Sequence, residues 1–308
     1  MPNGLIIKST GSWYKVRSDS GQIIDCRVKG KFRIKGYRLT NPLSVGDRVF
    51  FETEDTTKGI ISKIEKRKNY IIRRSPHAGK YSLLAANIDQ VFLMVTLTKP
   101  KTSLGFIDRF LVGTAFFNIP CVLVFNKIDI YSKAELEIQN ELMKIYTNVG
   151  YGTISISCID KHNIELLEQK MSNKITLVAG HSGVGKSSLI NCLLPGVNRK
   201  VGEISQAKKK GVHTTTFSEL LDLPGGGYLI DSPGIREFGI AEVDSEKELT
   251  AYFYEFERLS VGCMFNDCLH ENEPDCAVKN ALQSGDIAES RYISYLKLLD
   301  EVRKTKAY

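Results

Sequence analysis

A glycine-rich segment near the middle of the chain constrains the fold more than any other feature. Gly180-His181-Ser182-Gly183-Val184-Gly185-Lys186-Ser187 fits the pattern G-x-x-x-x-G-K-[S/T], between a β-prone run and the apolar helix start Ser188-Leu189-Ile190. Glycines let backbone N–H groups close around phosphates, and the helix N-terminus adds its positive end. Lys186 is expected to reach the β- and γ-phosphates and Ser187 to ligate Mg²⁺. A chance glycine-rich turn is the alternative, which this context disfavours.

A second motif predicts which nucleotide base is bound. Asn126-Lys127-Ile128-Asp129 directly follows the apolar run that ends at Phe125, and Ser157-Cys158 follows the next run. A carboxylate at Asp129 accepts hydrogen bonds from the guanine N1–H and 2-amino groups, and adenine lacks that donor pair. Ser157-Cys158 stands where GTPases place a Ser-Ala turn whose backbone contacts the base. Asn-Lys-x-Asp alone is often a loop, but beside a phosphate-binding loop it favours guanine.

Two further segments complete a set of GTPase elements. Asp231-Ser232-Pro233-Gly234 follows the apolar run 228–230 and matches D-x-x-G, which predicts Asp231 near Mg²⁺ and the Gly234 N–H toward the γ-phosphate. The segment 211–216 contains three threonines, and one of them would complete the Mg²⁺ shell with Ser187 and Asp231. Thr215 is the first choice. A β-prone strand start is the alternative explanation for the three threonines.

The order of the motifs is unusual. An ordinary GTPase runs phosphate loop, switch threonine, D-x-x-G, N-K-x-D and Ser-Ala, whereas here N-K-x-D and Ser-Cys come first. The order is a rotation of the usual cycle, so the same sheet can form with new termini. Five elements in correct cyclic order predict a circularly permuted GTPase. The predicted nucleotide-binding residues are Asn126, Lys127, Asp129, Ser157, Cys158, Gly180, His181, Ser182, Gly183, Val184, Gly185, Lys186, Ser187, Ser188, Asp231 and Gly234.

The segment after D-x-x-G lacks the glutamine that positions water in Ras-like enzymes. Ile235 takes that place here. His213 is a candidate for this role, with a purely structural role as the alternative. The candidate catalytic residues are therefore His213, Thr215 and Lys186. We expect slow intrinsic turnover that rises when a partner orders the switch segments.

A cysteine cluster lies near the carboxyl end. Cys263-x₄-Cys268-x-His270-x₅-Cys276 supplies three thiolates and one imidazole within a short span. Such a Cys₃His set binds Zn²⁺ tetrahedrally, and four protein ligands indicate a structural rather than a catalytic metal. The spacing is more compact than the common C-x₂-C pairs, so chance clustering is the alternative. Zinc would anchor a small helical domain with little core of its own.

The first 70 residues carry short β-prone runs at 13–16, 23–28, 47–51 and 59–64, separated by turn signals. Without a long helical pattern they predict a small β-barrel of the OB type. Aromatic residues in this region would suit a nucleic-acid-binding surface, although barrel core is the preferred interpretation for each one taken singly. These aromatics are Trp13, Tyr14, Phe32 and Tyr37.

The distribution of charge along the chain is also compatible with a nucleic-acid partner. The net charge is +7, and basic residues cluster at 29–38, 63–74 and 208–210. Such clusters suit a polyanion, most simply nucleic acid, and a solvated basic surface explains them equally well. No apolar run approaches the ~20 residues that span a bilayer, and the N-terminus lacks a signal peptide, so a cytoplasmic location is the default.

Between about 85 and 240 apolar runs alternate with helical patterns, as at 107–117 and 133–146, which predicts a parallel α/β sheet. Beyond 241 the chain becomes helical, and 287–302 places Tyr292, Leu296, Leu299 and, on the flanks, Tyr295 and Val302 at helical spacing. The predicted domains are a barrel over 1–70, the permuted GTPase over 71–240 and a helical zinc domain over 241–308. Because D-x-x-G leads directly into the last domain, we hypothesise that this domain moves with the nucleotide state.

With these residues in hand, the chain resembles the RsgA (YjeQ/YloQ) family of ribosome small-subunit-dependent GTPases. The resemblance extends over nearly the whole chain and rests on the motifs above, on Gly11-Ser12-Trp13-Tyr14 and on Ala86-Asn87-Ile88-Asp89-Gln90. It implies an OB-fold, a permuted GTPase and a zinc domain that act in late assembly of the small ribosomal subunit, with hydrolysis stimulated by that subunit. Trp13, where a smaller aromatic is expected, and Cys158, where alanine is usual, are departures.

We therefore expect a monomeric GTP hydrolase that binds GTP and GDP, Mg²⁺, one structural zinc ion and the small subunit with its rRNA. The alternative is a GTP/GDP-gated RNA-binding switch on another partner, for which hydrolysis is incidental. A membrane-regulated GTPase is disfavoured, because the sequence has neither a lipidation signal nor an amphipathic anchor.

Overall fold

The computed structural model describes residues 2–28, 41–74, 81–196, 218–231, 243 and 245–306. Several predicted residues lie outside these ranges. They are Phe32, Tyr37, His213, Thr215, Gly234 and the basic residues at 29–38 and 208–210. Within the described part of the chain, none of the helices is both long and apolar enough to cross a bilayer.

The amino-terminal strands form a five-stranded barrel. They are β1 (Asn3–Ser9), β2 (Tyr14–Ser18), β3 (Ile23–Val28), β4 (Arg48–Thr53) and β5 (Lys58–Ile64). The strand order is β1-β2-β3-β5-β4, and β4 pairs back with β1 to close the sheet, with β3 and β5 parallel. Side chains alternate between the two faces, so Tyr14 and Val16 lie in the barrel core while Lys15 faces solvent. The predicted OB-type barrel is confirmed.

Two details of the barrel differ from the sequence interpretation. Strand β1 was missing from the predicted set, although it pairs with both β2 and β4. Tyr14 is core as expected, with 2% exposure, but Trp13 is 42% exposed. The interpretation of Trp13 as core is therefore wrong, because Trp13 precedes β2 and is not bound by its alternation.

A hairpin of β6 (Tyr70–Arg74) and β7 (Tyr81–Ala86) leads into the second sheet. That sheet contains β8 (Gln90–Val95), β9 (Cys121–Asn126), β10 (Gly152–Ile156), β11 (Ile175–Ala179), β12 (Glu219–Asp222) and β13 (Tyr228–Asp231). The order is β10-β9-β8-β11-β13-β12, with the first five strands parallel and β12 antiparallel. β12 also pairs with β1 through Lys8 and Glu219, so the barrel continues the sheet.

Helices cover both faces of this sheet. The helices α1 (Leu104–Phe116) and α2 (Lys133–Val149) pack on one face, and α3 (Ile164–Met171) and α4 (Lys186–Leu193) pack on the other. Helix α2 begins with a capping box between Ser132 and Glu135 and ends at Gly150, whose φ of 116° suits a glycine C-cap. The layers confirm the predicted α/β domain.

The carboxyl-terminal region is helical, with α5 (Glu246–Ala251), α6 (Tyr254–Ser260), α7 (Ala277–Ser284) and α8 (Glu289–Lys306). The buried face of α8 centres on Tyr295, Leu298 and Leu299, whereas Tyr292 and Leu296 are only half-buried. The predicted helical face is therefore confirmed at Tyr295, Leu299 and Val302, while Tyr292 and Leu296 pack partly buried against the same core. Val112 of α1 belongs to the same core, so α8 packs directly on the nucleotide domain.

A buried ion-pair network crosses this junction. The Arg291 guanidinium on α8 donates to both carboxylate oxygens of Glu255 on α6, at 2.7 and 3.0 Å, and to Asp108 Oδ1 on α1 at 2.7 Å. The Tyr146 hydroxyl on α2 donates to the same Asp108 oxygen at 2.9 Å. Arg291 and Asp108 are 1% and 0% exposed. The network therefore joins the last domain to two helices of the nucleotide domain.

Candidate nucleotide and metal sites

The predicted nucleotide motifs converge at one edge of the parallel sheet. Asn126 is the last residue of β9, Ser157 follows β10, Gly180 follows β11 and Asp231 ends β13. These four strands are parallel to one another, so their carboxyl ends meet at the same edge, where ligands bind in open α/β sheets. The sheet thus assembles motifs that are far apart and permuted in the sequence.

The phosphate-binding loop needs its glycines. Gly180, Gly183 and Gly185 have φ angles of 137°, 83° and 102°. A Cβ atom on Gly180 would lie 2.7 Å from the Met94 carbonyl oxygen, and one on Gly185 would lie 2.2 Å from Asn126 Nδ2. Any larger residue at these positions would therefore force the loop apart.

The lysine that follows the last glycine of the loop points back to it. The Lys186 ammonium group donates to the carbonyl oxygens of Gly180 at 2.6 Å and His181 at 2.5 Å. Ser187 and Ser188 occupy the first turn of α4 and are half-buried. The His181 ring packs on Phe106 of α1, with ring centroids 3.7 Å apart. The loop is thus supported from α1 as well as from the sheet.

The base motif is linked to the phosphate loop. The Asn126 side-chain amide donates to the Val184 carbonyl oxygen at 2.8 Å, and Asn126 is 2% exposed. Lys127 has a φ of 70°, and its ammonium group donates to the Lys99 carbonyl oxygen. Burial lowers the pKa of Lys127, while Asp129 opposes that shift. A buried hydrogen bond therefore connects the N-K-x-D motif directly to the phosphate-binding loop.

Asp129 is oriented by the turn after β10. The Ser157 hydroxyl donates to Asp129 Oδ1 at 2.7 Å and accepts the Asp160 N–H at 3.0 Å. The neighbouring Cys158 is half-buried, and burial raises the pKa of its thiol to about 12. A neutral, packed thiol is chemically similar to the alanine that is usual at this position.

Sequence reasoning missed two residues that support this site. The Tyr131 hydroxyl donates to the Asn126 carbonyl oxygen at 2.7 Å and accepts the Leu97 N–H at 2.8 Å. The Cys192 thiol on α4 donates to the Cys158 carbonyl oxygen at 3.4 Å. Neither residue belongs to a motif, so only their positions in the fold reveal these contacts.

The four predicted metal ligands come together. The donor atoms of Cys263, Cys268, His270 and Cys276 lie within 4.8 Å of one another. The Cys263 and Cys276 sulfurs are 3.9 Å apart. Tetrahedral zinc with Zn–S bonds of about 2.3 Å separates two sulfurs by roughly 3.8 Å. The donor set and its spacing therefore fit a four-coordinate metal ion.

Surrounding residues fix the histidine of this cluster. The Ser260 hydroxyl donates to the Phe256 carbonyl oxygen at 2.7 Å and lies 3.1 Å from His270 Nε2. The Ser260 oxygen thus accepts the Nε2–H, which leaves the Nδ1 lone pair toward the sulfurs, 3.3 Å from Cys276 Sγ. Burial lowers the pKa of His270, which favours the neutral ring that a metal ion requires. Ser260 carries no sequence signal for this role.

Three other predicted site residues lie outside the described part of the chain. The three are His213, Thr215 and Gly234, and only the backbone of Asp231 is described. Their proposed roles in the Mg²⁺ shell, at the γ-phosphate and in water activation stay predictions.

The fold and the convergent motifs define a class of protein: a P-loop GTPase whose motifs run in permuted order, preceded by a β-barrel and followed by a helical domain with a Cys₃His cluster. The chain belongs to the RsgA family of GTPases and is a GTP-hydrolysing enzyme. The RsgA N-terminal domain matches residues 3–61, and the RsgA GTPase domain matches residues 64–241.

Relatives and solved structures match the chain over nearly its full length. The small ribosomal subunit biogenesis GTPase RsgA of Bacteroides fragilis (strain YCH46) is 47% identical over 304 residues, which cover 98% of each chain. The crystal structure of YjeQ from Thermotoga maritima superposes with a TM-score of 0.81 at 36% identity, covering 98% of each chain. YloQ, described as a circularly permuted GTPase, gives a TM-score of 0.77 at 29% identity, covering 99% of this chain and 96% of that one.

Proposed function

We propose that this protein assists the late assembly of the small ribosomal subunit, hydrolysing GTP to GDP and phosphate with stimulation by that subunit. The observation that carries this proposal is the match over 98% of both chains to relatives named small ribosomal subunit biogenesis GTPase. The barrel, the permuted nucleotide site and the metal cluster are all included in that match. The proposed form is a cytoplasmic monomer.

In the proposed site, Asp129 selects guanine. Asn126 and Lys127 hold the loop that carries Asp129 in place. The turn at Ser157-Cys158 contacts the base, and the backbone of 180–185 surrounds the phosphates with Lys186 and Ser188. Ser187, Thr215 and Asp231 would hold Mg²⁺, which neutralises phosphate charge when bound with the nucleotide. His213 is the proposed residue that orients water.

The proposed metal at Cys263, Cys268, His270 and Cys276 is one structural zinc ion. Its support is the convergent donor set and the Ser260 contact that fixes the His270 tautomer. Because all four positions of a tetrahedral ion are supplied by the protein, the ion would stabilise the fold rather than bind substrate.

The deciding experiment measures GTP hydrolysis alone, with purified small subunits and with large subunits. Strong stimulation by small subunits alone is expected, and Lys186→Ala should abolish it because the phosphate contact is lost. The exposed Lys133→Ala, on α2, is the matched control and should respond like the wild type.

Stimulation by neither subunit, with GTP still bound, would contradict the proposed function. Nucleotide-dependent RNA binding without any stimulation would favour the alternative, an RNA-binding switch for which hydrolysis is incidental. Binding of rRNA is part of the proposal because the chain carries a net charge of +7 and the barrel is of the OB type.

A further inference from the structure

An exposed apolar loop follows α6 in the last domain. Val261, Met264 and Phe265 are 91%, 66% and 41% exposed, and we call these three side chains the apolar loop. Large apolar side chains exposed together on a folded surface are characteristic of interaction sites. The apolar loop is therefore a candidate docking surface.

The backbone holds these side chains outward. The Met264 N–H donates to the Asp275 carbonyl oxygen at 3.3 Å, and the Cys268 N–H donates to the Phe265 carbonyl oxygen at 3.3 Å. Cys263 and Cys268, which flank Met264 and Phe265, both belong to the Cys₃His cluster. The segment that carries Met264 and Phe265 is thus anchored on both sides, and Val261 is the C-cap residue of α6, so the apolar side chains are presented in a preorganised form.

The charge around the loop is acidic, in contrast to the basic chain as a whole. Between 254 and 276 there are six carboxylates and one arginine, Arg258. Two of the six are paired with arginines of α8, Glu255 with Arg291 and Glu271 with Arg303. Asp267 and Asp275 are exposed beside the loop. Glu257 and Lys247 both line the cavity next to Phe265, so the charge of these neighbours stays negative. A phosphate backbone would be repelled here, whereas a basic protein surface would be attracted.

We infer that the apolar loop docks onto a basic protein of the small ribosomal subunit, with its three side chains as anchors and the surrounding carboxylates facing lysine or arginine. This inference rests on the proposed function and assigns the last domain a protein contact rather than an RNA contact. An apolar centre with a charged rim is the usual anatomy of a protein–protein interface.

Site-specific photo-crosslinking tests the inference on the full chain. The Val261→p-benzoylphenylalanine variant is mixed with purified small subunits and a non-hydrolysable GTP analogue, and the complex is then irradiated. The expected adduct survives nuclease, disappears with protease and contains a peptide rich in lysine and arginine. Ile138→p-benzoylphenylalanine is the matched control, because Ile138 is a 50% exposed apolar residue on α2 of the nucleotide domain, and no adduct to a basic subunit protein is expected from it.

A second variant, Val261→Ser/Met264→Ser/Phe265→Ser, should lower affinity for the small subunit by about tenfold or more. Its unstimulated GTP hydrolysis and its zinc content should match those of the wild type, which shows that the domain is folded. An adduct to RNA, or unchanged affinity of the triple variant, would overturn the inference. If wild-type protein fails to co-sediment with small subunits, the proposed function itself fails and the inference falls with it.

Discussion

The side-chain amide of Asn126 donates to the carbonyl oxygen of Val184 at 2.8 Å, and this bond joins the base motif to the phosphate loop. Asn126 precedes Val184 by more than fifty residues in the permuted chain, so this hydrogen bond connects two motifs that are distant in the sequence. The Tyr131 hydroxyl donates to the backbone carbonyl oxygen of Asn126 at 2.7 Å. The side-chain amide and the backbone carbonyl group of Asn126 are therefore both held by hydrogen bonds.

Asn126→Ala should weaken nucleotide binding, because the Val184 carbonyl oxygen loses its partner in a buried position. An unpaired buried acceptor costs about 1–3 kcal/mol, which corresponds to roughly five- to 150-fold in affinity. Titration with fluorescent GDP measures the effect. Asn140→Ala, at an exposed position on α2, is the control and should leave affinity unchanged. Equal affinities for Asn126→Ala and wild type would remove the proposed link between the motifs.

Asp129→Asn should exchange base preference from guanine to xanthine. The carboxylate accepts from the guanine N1–H and 2-amino groups, whereas an amide can donate to the 2-oxo group of xanthine. We expect hydrolysis of GTP to fall at least tenfold and hydrolysis of XTP to rise. Asp160→Asn is the control, because Asp160 contacts Ser157 only through its backbone N–H. A variant that still prefers GTP would assign guanine selection to another residue.

Sequence patterns predicted most of this architecture because it depends on local signals. The apolar runs for β8, β9 and β11 and the glycines of the phosphate loop each fix their own conformation. Contacts between distant elements carry no such signal. Arg291 and Asp108 were invisible because each is an ordinary helical charge until α8 packs on α1. Ser260 becomes informative only once His270 lies beside it.

An ion pair between Arg17 and Asp222 joins the barrel to the nucleotide sheet, and its contribution to the free energy of unfolding depends on pH. Arg17 Nη2 donates to Asp222 Oδ2 at 2.6 Å, and this hydrogen bond is the main reason that the pKa of Asp222 is lowered. A carboxylate with a lowered folded pKa stabilises the protein above its unfolded pKa of about 3.9, and the stabilisation is lost as pH falls through the folded value. Because Asp222 is 60% exposed, Arg17→Ala should cost at most about 1 kcal/mol at pH 7.

Urea unfolding of wild type and Arg17→Ala measures this difference. It should stay constant between about pH 8 and pH 5, begin to fall near the unfolded pKa of about 3.9, and vanish only below the lower folded pKa of Asp222. Lys15→Ala is the control, because its pair with Asp25 lies within the barrel and does not cross to the sheet. A loss well above about 2 kcal/mol would mean that the pair determines how the two domains dock.

Cys276→Ser should abolish metal binding and unfold the last domain. Cys276 is 2% exposed, and its sulfur lies 3.3 Å from His270 Nδ1, so a serine hydroxyl replaces a thiolate ligand inside the cluster. Wild-type protein is expected to contain one zinc ion per chain by elemental analysis, and a chelator should lower its melting temperature. Cys192→Ser, outside the cluster, should retain the metal. Full zinc content in Cys276→Ser would contradict the proposed ligand set.

Arg291→Met tests the junction between the nucleotide domain and the last domain. The variant leaves Asp108 and Glu255 buried without their cation, and removal of one partner of a buried pair costs about 3–5 kcal/mol. Arg303→Met on the same helix is the control, because Arg303 is 37% exposed and pairs with Glu246 and Glu271 at the surface, so a loss of about 1 kcal/mol or less is expected. Chemical unfolding measures both.

The same network bears on the hypothesis that the last domain moves with the nucleotide state. Separation of α8 from α1 would unpair Arg291 from Asp108, so such movement would require a change elsewhere of comparable free energy. If the domain moves, hydrogen exchange in α8 should rise in one of the two states, GDP or non-hydrolysable analogue, and Arg291→Met should abolish the difference by freeing the helix in both. Equal exchange in the two states of wild-type protein would mean that the ion pair holds through the nucleotide cycle, and that any signal to a partner leaves the molecule by another route.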